Sequence, residues 1–189
     1  MLAMMISSYV LERSLVSPRL LIVIGLLFIA VSVFEMTGFT VNVTRSMITW
    51  TGFVQGLGLG LIFVPLSTLA FATLDSSLRT EGTSIFGLAR TIGSSLGISI
   101  VVTALGVNLQ QEHARLTEHI TVFNPLLLKA DSAALWDIHT PQGLALLESE
   151  VGRQALQLAY IDDFQLIMLM AIVAIPMALL LRDPARSAQ

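Results

Sequence analysis

The chain has 189 residues, of which only 12% are charged, whereas a soluble domain carries about 25%. Hydrophobic residues make up 54%, so the composition is typical of a membrane protein, and we expect the lipid bilayer as a partner. The net charge of −3, without a basic patch, argues against nucleic-acid binding, and the absence of cysteine excludes disulfides and thiolate chemistry.

The first element is short. Residues 1–11 are apolar, but a membrane-spanning helix needs about 20 residues, and no positive region or cleavage site marks a secretory signal. We interpret residues 1–11 as the end of a truncated transmembrane helix. An interfacial segment is the alternative.

Four longer apolar stretches follow, each long enough to cross about 30 Å of hydrocarbon as a helix. None shows the alternation of a barrel strand. The predicted transmembrane helices cover residues 20–36, 47–74, 85–107 and 164–181. The expected fold class is therefore an all-α membrane protein with four full transmembrane helices plus a partial N-terminal one.

Basic residues in the short connections indicate the orientation. Arg13, Arg79 and Arg182 fall on one side of the alternating helices, and the positive-inside rule makes that side cytoplasmic. We expect a multi-pass protein of the inner (plasma) membrane, with a cytoplasmic C-terminal tail at residues 182–189.

The long connection at residues 108–163 is then an external loop. Residues 108–120 and 144–160 have helical spacing, and Pro-containing breakers at 124–125 and 140–143 lie between them. We expect two short helices that extend or cap the flanking spans.

The second span is rich in glycine. Gly52, Gly56 and Gly60 recur every four residues on one face, where a neighbouring backbone can approach closely. Gly58 lies on another face, and we expect it to add flexibility. Pro65 lacks an amide hydrogen and predicts a kink. Tight helix packing and a mobile cavity wall both fit this pattern.

Polar and aromatic residues of the same span favour a cavity-lining role. An amide without a partner is costly in hydrocarbon, so Gln55 faces another helix or water. Phe53 and Phe63 offer an aromatic surface for an apolar ligand, although packing residues are the alternative. The substrate-cavity candidates are Phe53, Gln55, Gly56, Phe63 and Pro65.

The third span also carries small residues at regular spacing. Ala89, Gly93 and Gly97 form a stripe at spacing four, which suits helix packing. Arg90 lies in the first turns of this span. Its guanidinium either snorkels to the interface or pairs with a carboxylate or helix carbonyls. The helix-packing candidates of both spans are Gly52, Gly60, Gly93 and Gly97.

Glu35 is the only acid inside a predicted span, and an intramembrane carboxylate is a candidate for proton relay. A solvated interfacial acid is the alternative reading. Arg90 and Glu35 are therefore the candidates for a coupling or structural charge. Asp162 and Asp163 stand before the fourth span, and we expect them to cap its N-terminus.

Signatures of an enzyme are absent from the sequence. No nucleophile–base pair is apparent, and His113, His119 and His139 lack the spacing of metal ligands. We therefore expect no enzymatic activity, no metal and no cofactor.

Residues 52–99 carry a pattern that resembles a known family. A Gly-rich helix with Pro65-Leu66 is followed by a short loop and by a helix with Arg90 and the run GSSLG at 93–97. This is similar to the EmrB/QacA-like group of the major facilitator superfamily, the fourteen-helix drug:proton antiporters. The four spans would then be helices eleven to fourteen, in the C-terminal portion of the bundle.

The resemblance implies a function. It implies proton-driven efflux of small hydrophobic or cationic compounds, powered by a proton gradient without a cofactor. The N-terminal half of such a transporter, which this chain lacks, would be a partner, because alternating access requires two halves around a midplane site. A small membrane scaffold that binds partner helices, without transport activity of its own, is the alternative.

Overall fold

The structure, a computed structural model, describes residues 2–13, 16–40, 42–72, 74–118, 120 and 140–181. These residues form helices and turns, and no strand occurs among them, which confirms the predicted all-α fold. Four of the helices are long and apolar enough to cross a membrane. The tail predicted at residues 182–189 and the breaker at 124–125 lie outside the described residues.

Helix α1 covers Leu2–Glu12, and helix α2 covers Pro18–Thr37. Ser17 begins α2, because its Oγ accepts a hydrogen bond from a backbone N–H of the first turn and because proline at the first helical position has a preset φ. Gly38 ends α2, and its N–H donates to carbonyl groups of the last turn. Both ends lie within two residues of the predicted span.

Helix α3, Arg45–Phe71, continues through Pro65. Just after the proline, Ser67 and Thr68 donate their hydroxyl protons to the carbonyl of Val64, at 2.8 and 3.0 Å. These hydroxyls are therefore satisfied inside the helix, as isolated donors in hydrocarbon must be. The kink stays a prediction.

Helix α4, Arg79–Glu118, follows a single 3-10 turn at Ser76–Leu78. Asp75 caps that turn, since its carboxylate accepts hydrogen bonds from the Ser77 N–H and hydroxyl, each at 3.0 Å. The donated Ser77 N–H is the main cause that lowers the pKa of the Asp75 carboxyl, with the hydroxyl second. Helix α4 is much longer than the span predicted at residues 85–107.

Helix α5, Pro141–Leu180, begins at the predicted breaker. Thr140 Oγ1 accepts from the Gly143 N–H at 3.1 Å, so the Thr-Pro-Gln-Gly stretch caps a helix. Helices α4 and α5 thus extend the predicted spans into the region expected to be a loop. The expectation that Asp162 and Asp163 cap a helix N-terminus is wrong, because α5 begins at Pro141 and both residues lie in its interior.

The chain divides into two compact units, Met1–Ile100 with Phe164–Gln189, and Val101–Asp163. In the first unit, α2 packs along α3 and α1 packs on another side of α3. In the second unit, the first half of α5 has a buried stripe at four-residue spacing, formed by Leu147, Val151, Ala155 and Ala159.

Candidate functional site

Helices α2 and α3 meet at a pair of glycines. A Cβ on Gly25 would lie 2.7 Å from the carbonyl oxygen of Gly58, and a Cβ on Gly58 would lie 2.7 Å from the carbonyl oxygen of Gly25. Any larger residue at either position would push the backbones apart. Gly58 is therefore a packing residue, and the expectation that it adds flexibility stays a prediction.

A buried hydrogen bond joins the same two helices. Ser32 Oγ donates to the carbonyl of Thr51 at 2.7 Å, and both residues are fully buried. Thr51 Oγ1 in turn donates to the carbonyl of Met47 at 3.0 Å. Interhelical hydrogen bonds of this kind contribute about 0.6 kcal/mol in a membrane protein. Sequence analysis missed Gly25, Ser32 and Thr51, although Gly25 and Ser32 stand seven residues apart on one helix face.

Helix α1 packs against another side of α3. A Cβ on Gly60 would overlap the Cβ of Ala3 and would lie 3.2 Å from the backbone nitrogen of Met4. Gly60 therefore lies directly against α1 in the structure. The other predicted packing glycines have no described atom within 4 Å of such a Cβ, and their packing role stays a prediction: Gly52, Gly93 and Gly97.

The remaining face of α3 is open. Gly52, Gly56, Leu59 and Phe63 follow one another at helical spacing along this face, and all are exposed. A Cβ on Gly56 would meet no described atom within 4 Å. The structure thus brings two of the cavity candidates, Gly56 and Phe63, onto one accessible strip of α3, which we call the open face.

The other cavity candidates lie beside or behind this face. Phe53 is exposed, and its ring stacks on Trp50 with centroids 6.2 Å apart. Gln55 is half-buried at the edge of the open face. Pro65 is fully buried on the side of α3 that also carries Gly58, so it does not line the open face.

Helix α4 meets α3 through side chains. Phe86 packs edge-on against Phe71 with centroids 5.5 Å apart, and the Arg90 guanidinium carbon lies 5.3 Å from the centroid of the Phe63 ring. The expectations for Arg90, snorkelling to the interface or pairing with a carboxylate or helix carbonyls, stay predictions beside this cation–π contact. A coupling candidate and a cavity candidate therefore touch each other.

A cleft of about 420 Å³ lies where α3 ends and α4 begins. It is lined by Thr68, Phe71, Ala72, Arg79 and Thr83. Thr83 donates its hydroxyl proton to the Arg79 carbonyl at 2.8 Å, so this hydroxyl is already used inside its own helix. The guanidinium of Arg79 is thus the charged group of the cleft.

Two acidic residues, Glu35 and Asp163, differ in how deeply they are buried. Glu35 is half-buried in the last turn of α2, close to a span end as predicted. Asp163 is only 3% exposed, and its Oδ1 accepts no hydrogen bond within the described part of the chain. Neither carboxylate forms an ion pair with a described residue.

The second unit has its own polar contact. His113 Nε2 on α4 lies 2.9 Å from Glu148 Oε1 on α5, beside a cleft of about 390 Å³. Across residues 2–118 and 140–181, apart from the gaps named above, no three His, Cys, Asp or Glu side chains gather as metal ligands.

Comparisons with known proteins identify relatives. The chain is 24% identical to the fatty acid resistance protein FarB of Neisseria gonorrhoeae over 173 residues, which are 91% of this chain and 34% of FarB. It is 33% identical to the multidrug export protein EmrB of Escherichia coli K12 over 76 residues, 40% of this chain and 15% of EmrB. It is 27% identical to the probable multidrug resistance protein EmrY of the same strain over 154 residues, 74% of this chain and 30% of EmrY.

The chain therefore spans about a third of the length of FarB, and the matched region is the C-terminal part of such relatives. No protein-family model and no solved structure matches the chain. These relatives are named for resistance or export, and an uncharacterised transporter of the major facilitator superfamily type from Bacillus subtilis is also among them. The chain is thus similar to the C-terminal part of the EmrB-type efflux transporters of the major facilitator superfamily, which confirms the resemblance seen in its sequence.

Proposed function

We propose that this chain forms part of a membrane transporter that exports hydrophobic compounds in exchange for protons. The similarity to FarB over 91% of the chain carries the proposal. The names of FarB and EmrY refer to resistance and that of EmrB to export, and from these names we infer export as the activity of the whole transporter.

The geometry of α3 supports this proposal. One side of α3 is fixed to α2 by the Gly25–Gly58 contact, while the open face with Gly56 and Phe63 remains accessible. A helix held on one side and open on the other is suited to line a substrate path. The chain would do this together with further helices, because alternating access needs two halves that move around a central site.

Proton coupling requires a group that binds a proton within the membrane. Glu35, half-buried in the last turn of α2, is the acid of α2 and α3 that we propose for this role. Cationic compounds fit less well than neutral ones, because α3 contains no acidic residue to receive them.

Dye accumulation in cells tests the proposal. Cells that express the chain within a full-length transporter should accumulate less of a lipophilic fluorescent dye than cells without it. Gly56→Leu should abolish this difference, since the new side chain fills the open face. Gly106→Leu is the matched control, because a Cβ at Gly106 also meets no described atom within 4 Å.

A membrane scaffold is the second candidate. It is favoured by the span of α4, in which none of the residues is buried in the structure. The full-length transporter and its Gly56→Leu variant separate the two candidates, because this chain by itself is not expected to move dye under either of them. A scaffold should retain a partner protein and leave dye accumulation unchanged, and normal efflux by Gly56→Leu in the full-length protein would contradict the transport role of α3.

A further inference from the structure

Asp163 is a buried carboxylic acid in the interior of a helix. The buried positions in the first half of α5 recur every four residues, at Leu147, Val151, Ala155 and Ala159, and Asp163 is the next position of this stripe. Asp163 is only 3% exposed, although the four earlier members of the stripe are all apolar. A polar group in such a place needs a partner, because its burial without one is costly.

This carboxyl group has no partner within the described residues. Its Oδ1 is buried and accepts no hydrogen bond, and Asp163 takes part in none of the described ion pairs. The preceding residue, Asp162, would add a like charge beside it. An ionised Asp163 would therefore be an unpaired buried charge, which costs far more free energy than burial of the neutral acid.

The charged residues of the second unit do not neutralise Asp163. On α4, residues 101–111 carry no charge, and the charged residues begin only at Glu112. On α5, the nearest preceding cation is Arg153, which lies about 15 Å from Asp163 along the helix at about 1.5 Å per residue. Arg153 is already bound to Glu150, with a nitrogen–oxygen distance of 2.7 Å.

The residue after Asp163 contacts the segment that follows α2. Phe164 packs edge-on against Phe39, with ring centroids 6.4 Å apart. The charged residues that flank Phe39 in the sequence are Glu35 and Arg45, and neither forms an ion pair within the described part of the chain. This segment thus supplies no described ion-pair partner for the carboxyl group.

The helix interior favours the protonated form of Asp163. In the middle of α5 the backbone N–H groups already donate to carbonyl groups four residues earlier, so they are not available to a carboxylate. A helix carbonyl keeps a second lone pair, and an O–H group can donate to it. Ser67 does so in α3, where its Oγ donates to the Val64 carbonyl at 2.8 Å. Helix α5 itself can therefore satisfy the protonated acid but not the ionised one.

We propose that Asp163 is a proton-binding site, whose carboxyl group is protonated at neutral pH and releases the proton when the side chain becomes accessible to water. Asp163 directly precedes the span predicted at residues 164–181, at the end that the predicted orientation makes external. Its role in proton exchange rests on the proposed function and adds a second acid to Glu35, which is half-buried. The protonation itself does not depend on that function.

Infrared spectroscopy of the 189-residue chain in nanodiscs tests the protonation. A protonated carboxyl group has a C=O stretching band that a carboxylate lacks. Wild-type protein should show this band at pH 7, and heavy-carbon labelling of the aspartate carboxyl groups should shift it. The absence of a labelled band at pH 7 overturns the proposal and requires no variant.

Two variants assign the band to one residue. Asp163→Asn has the shape of the neutral acid and should fold, and it should lose the band. Asp162→Asn is the matched control, because Asp162 is the half-buried neighbour, and it should keep the band. A band that is equally strong in wild type and Asp163→Asn overturns the assignment.

Dye transport by the full-length transporter tests the role in proton exchange. Asp163→Asn should lose the dye efflux that a proton gradient drives, because a permanently neutral side chain cannot release a proton. It should retain the exchange of dye for dye without a gradient, whereas a misfolded variant would lose both. Asp162→Asn should retain both. Gradient-driven efflux at the wild-type rate in Asp163→Asn overturns this role.

The infrared assay and the dye assay fail independently. A band that depends on Asp163, in a transporter that exports no dye, would leave the proton-binding site in place and remove the efflux proposal. Dye efflux that responds to Gly56→Leu, in a protein without the band, would remove the proton-binding site and leave the efflux proposal.

Discussion

Glycines on α3 have different roles although they stand only two residues apart. Gly58 faces the backbone of α2, where a Cβ would lie 2.7 Å from a carbonyl oxygen. Gly56 points to the open face, where a Cβ would meet nothing described within 4 Å. At the residue scale, then, the neighbour decides whether a glycine in a membrane helix is required for packing or merely leaves space.

Alanine substitutions separate these roles. Gly58→Ala should destabilise the fold by about 1–3 kcal/mol, because the added methyl group forces α2 and α3 apart. Gly56→Ala should be neutral or stabilising by up to about 1 kcal/mol, because alanine has the higher helix propensity. Thermal unfolding in detergent, followed by circular dichroism, measures both. Equal melting temperatures for the two variants would contradict the close approach at Gly58.

At the scale of elements, caps determine where the helices begin. Thr140 begins α5 at Pro141, well before the span predicted at residues 164–181, and Asp75 begins the turn that leads into α4. Both caps accept hydrogen bonds from N–H groups that have no partner inside the helix. The helices thus extend past the apolar segments, because polar residues with helical spacing continue them on the aqueous side.

Asp75 makes the start of α4 sensitive to pH. Its pKa is lowered in the folded protein, so its contribution to stability is present above the ordinary carboxyl pKa and is lost as pH falls through the lowered value. Asp75→Ala should therefore lower the melting temperature at pH 7 more than at pH 3.

Asp75→Asn is the control for this prediction. Asparagine also caps helices but does not titrate, so its melting temperature should depend less on pH than that of the wild type. If Asp75→Ala lowers the melting temperature by the same amount at pH 7 and at pH 3, the role of the carboxylate is ruled out.

At the scale of the whole molecule, the exposed apolar residues show which surfaces need to be covered. The span of α4 has no buried residue, and the open face of α3 is also uncovered. Lipid or further helices must cover these surfaces, because apolar area of this extent is not stable in water. The chain spans about a third of FarB, and further helices of a transporter are the cover that we propose.

The orientation predicted from basic residues can be tested without background labelling, because the chain has no cysteine. Ser76→Cys, in the turn before α4, should react with a membrane-impermeant maleimide only in inverted membrane vesicles. Thr140→Cys, before α5, should react in intact spheroplasts. The reverse pattern would show that the positive-inside rule misassigns this chain.

The sequence by itself determined that the chain is a helical membrane protein similar to EmrB-type transporters. Spanning segments depend on hydropathy summed over about 20 consecutive residues, which is a local property. Only the tertiary structure decided that Gly58 rather than Gly56 touches α2, and that Arg90 lies on Phe63. These contacts depend on the angle at which each side chain leaves its helix and on the register of the neighbouring helix, and neither is encoded in a single span.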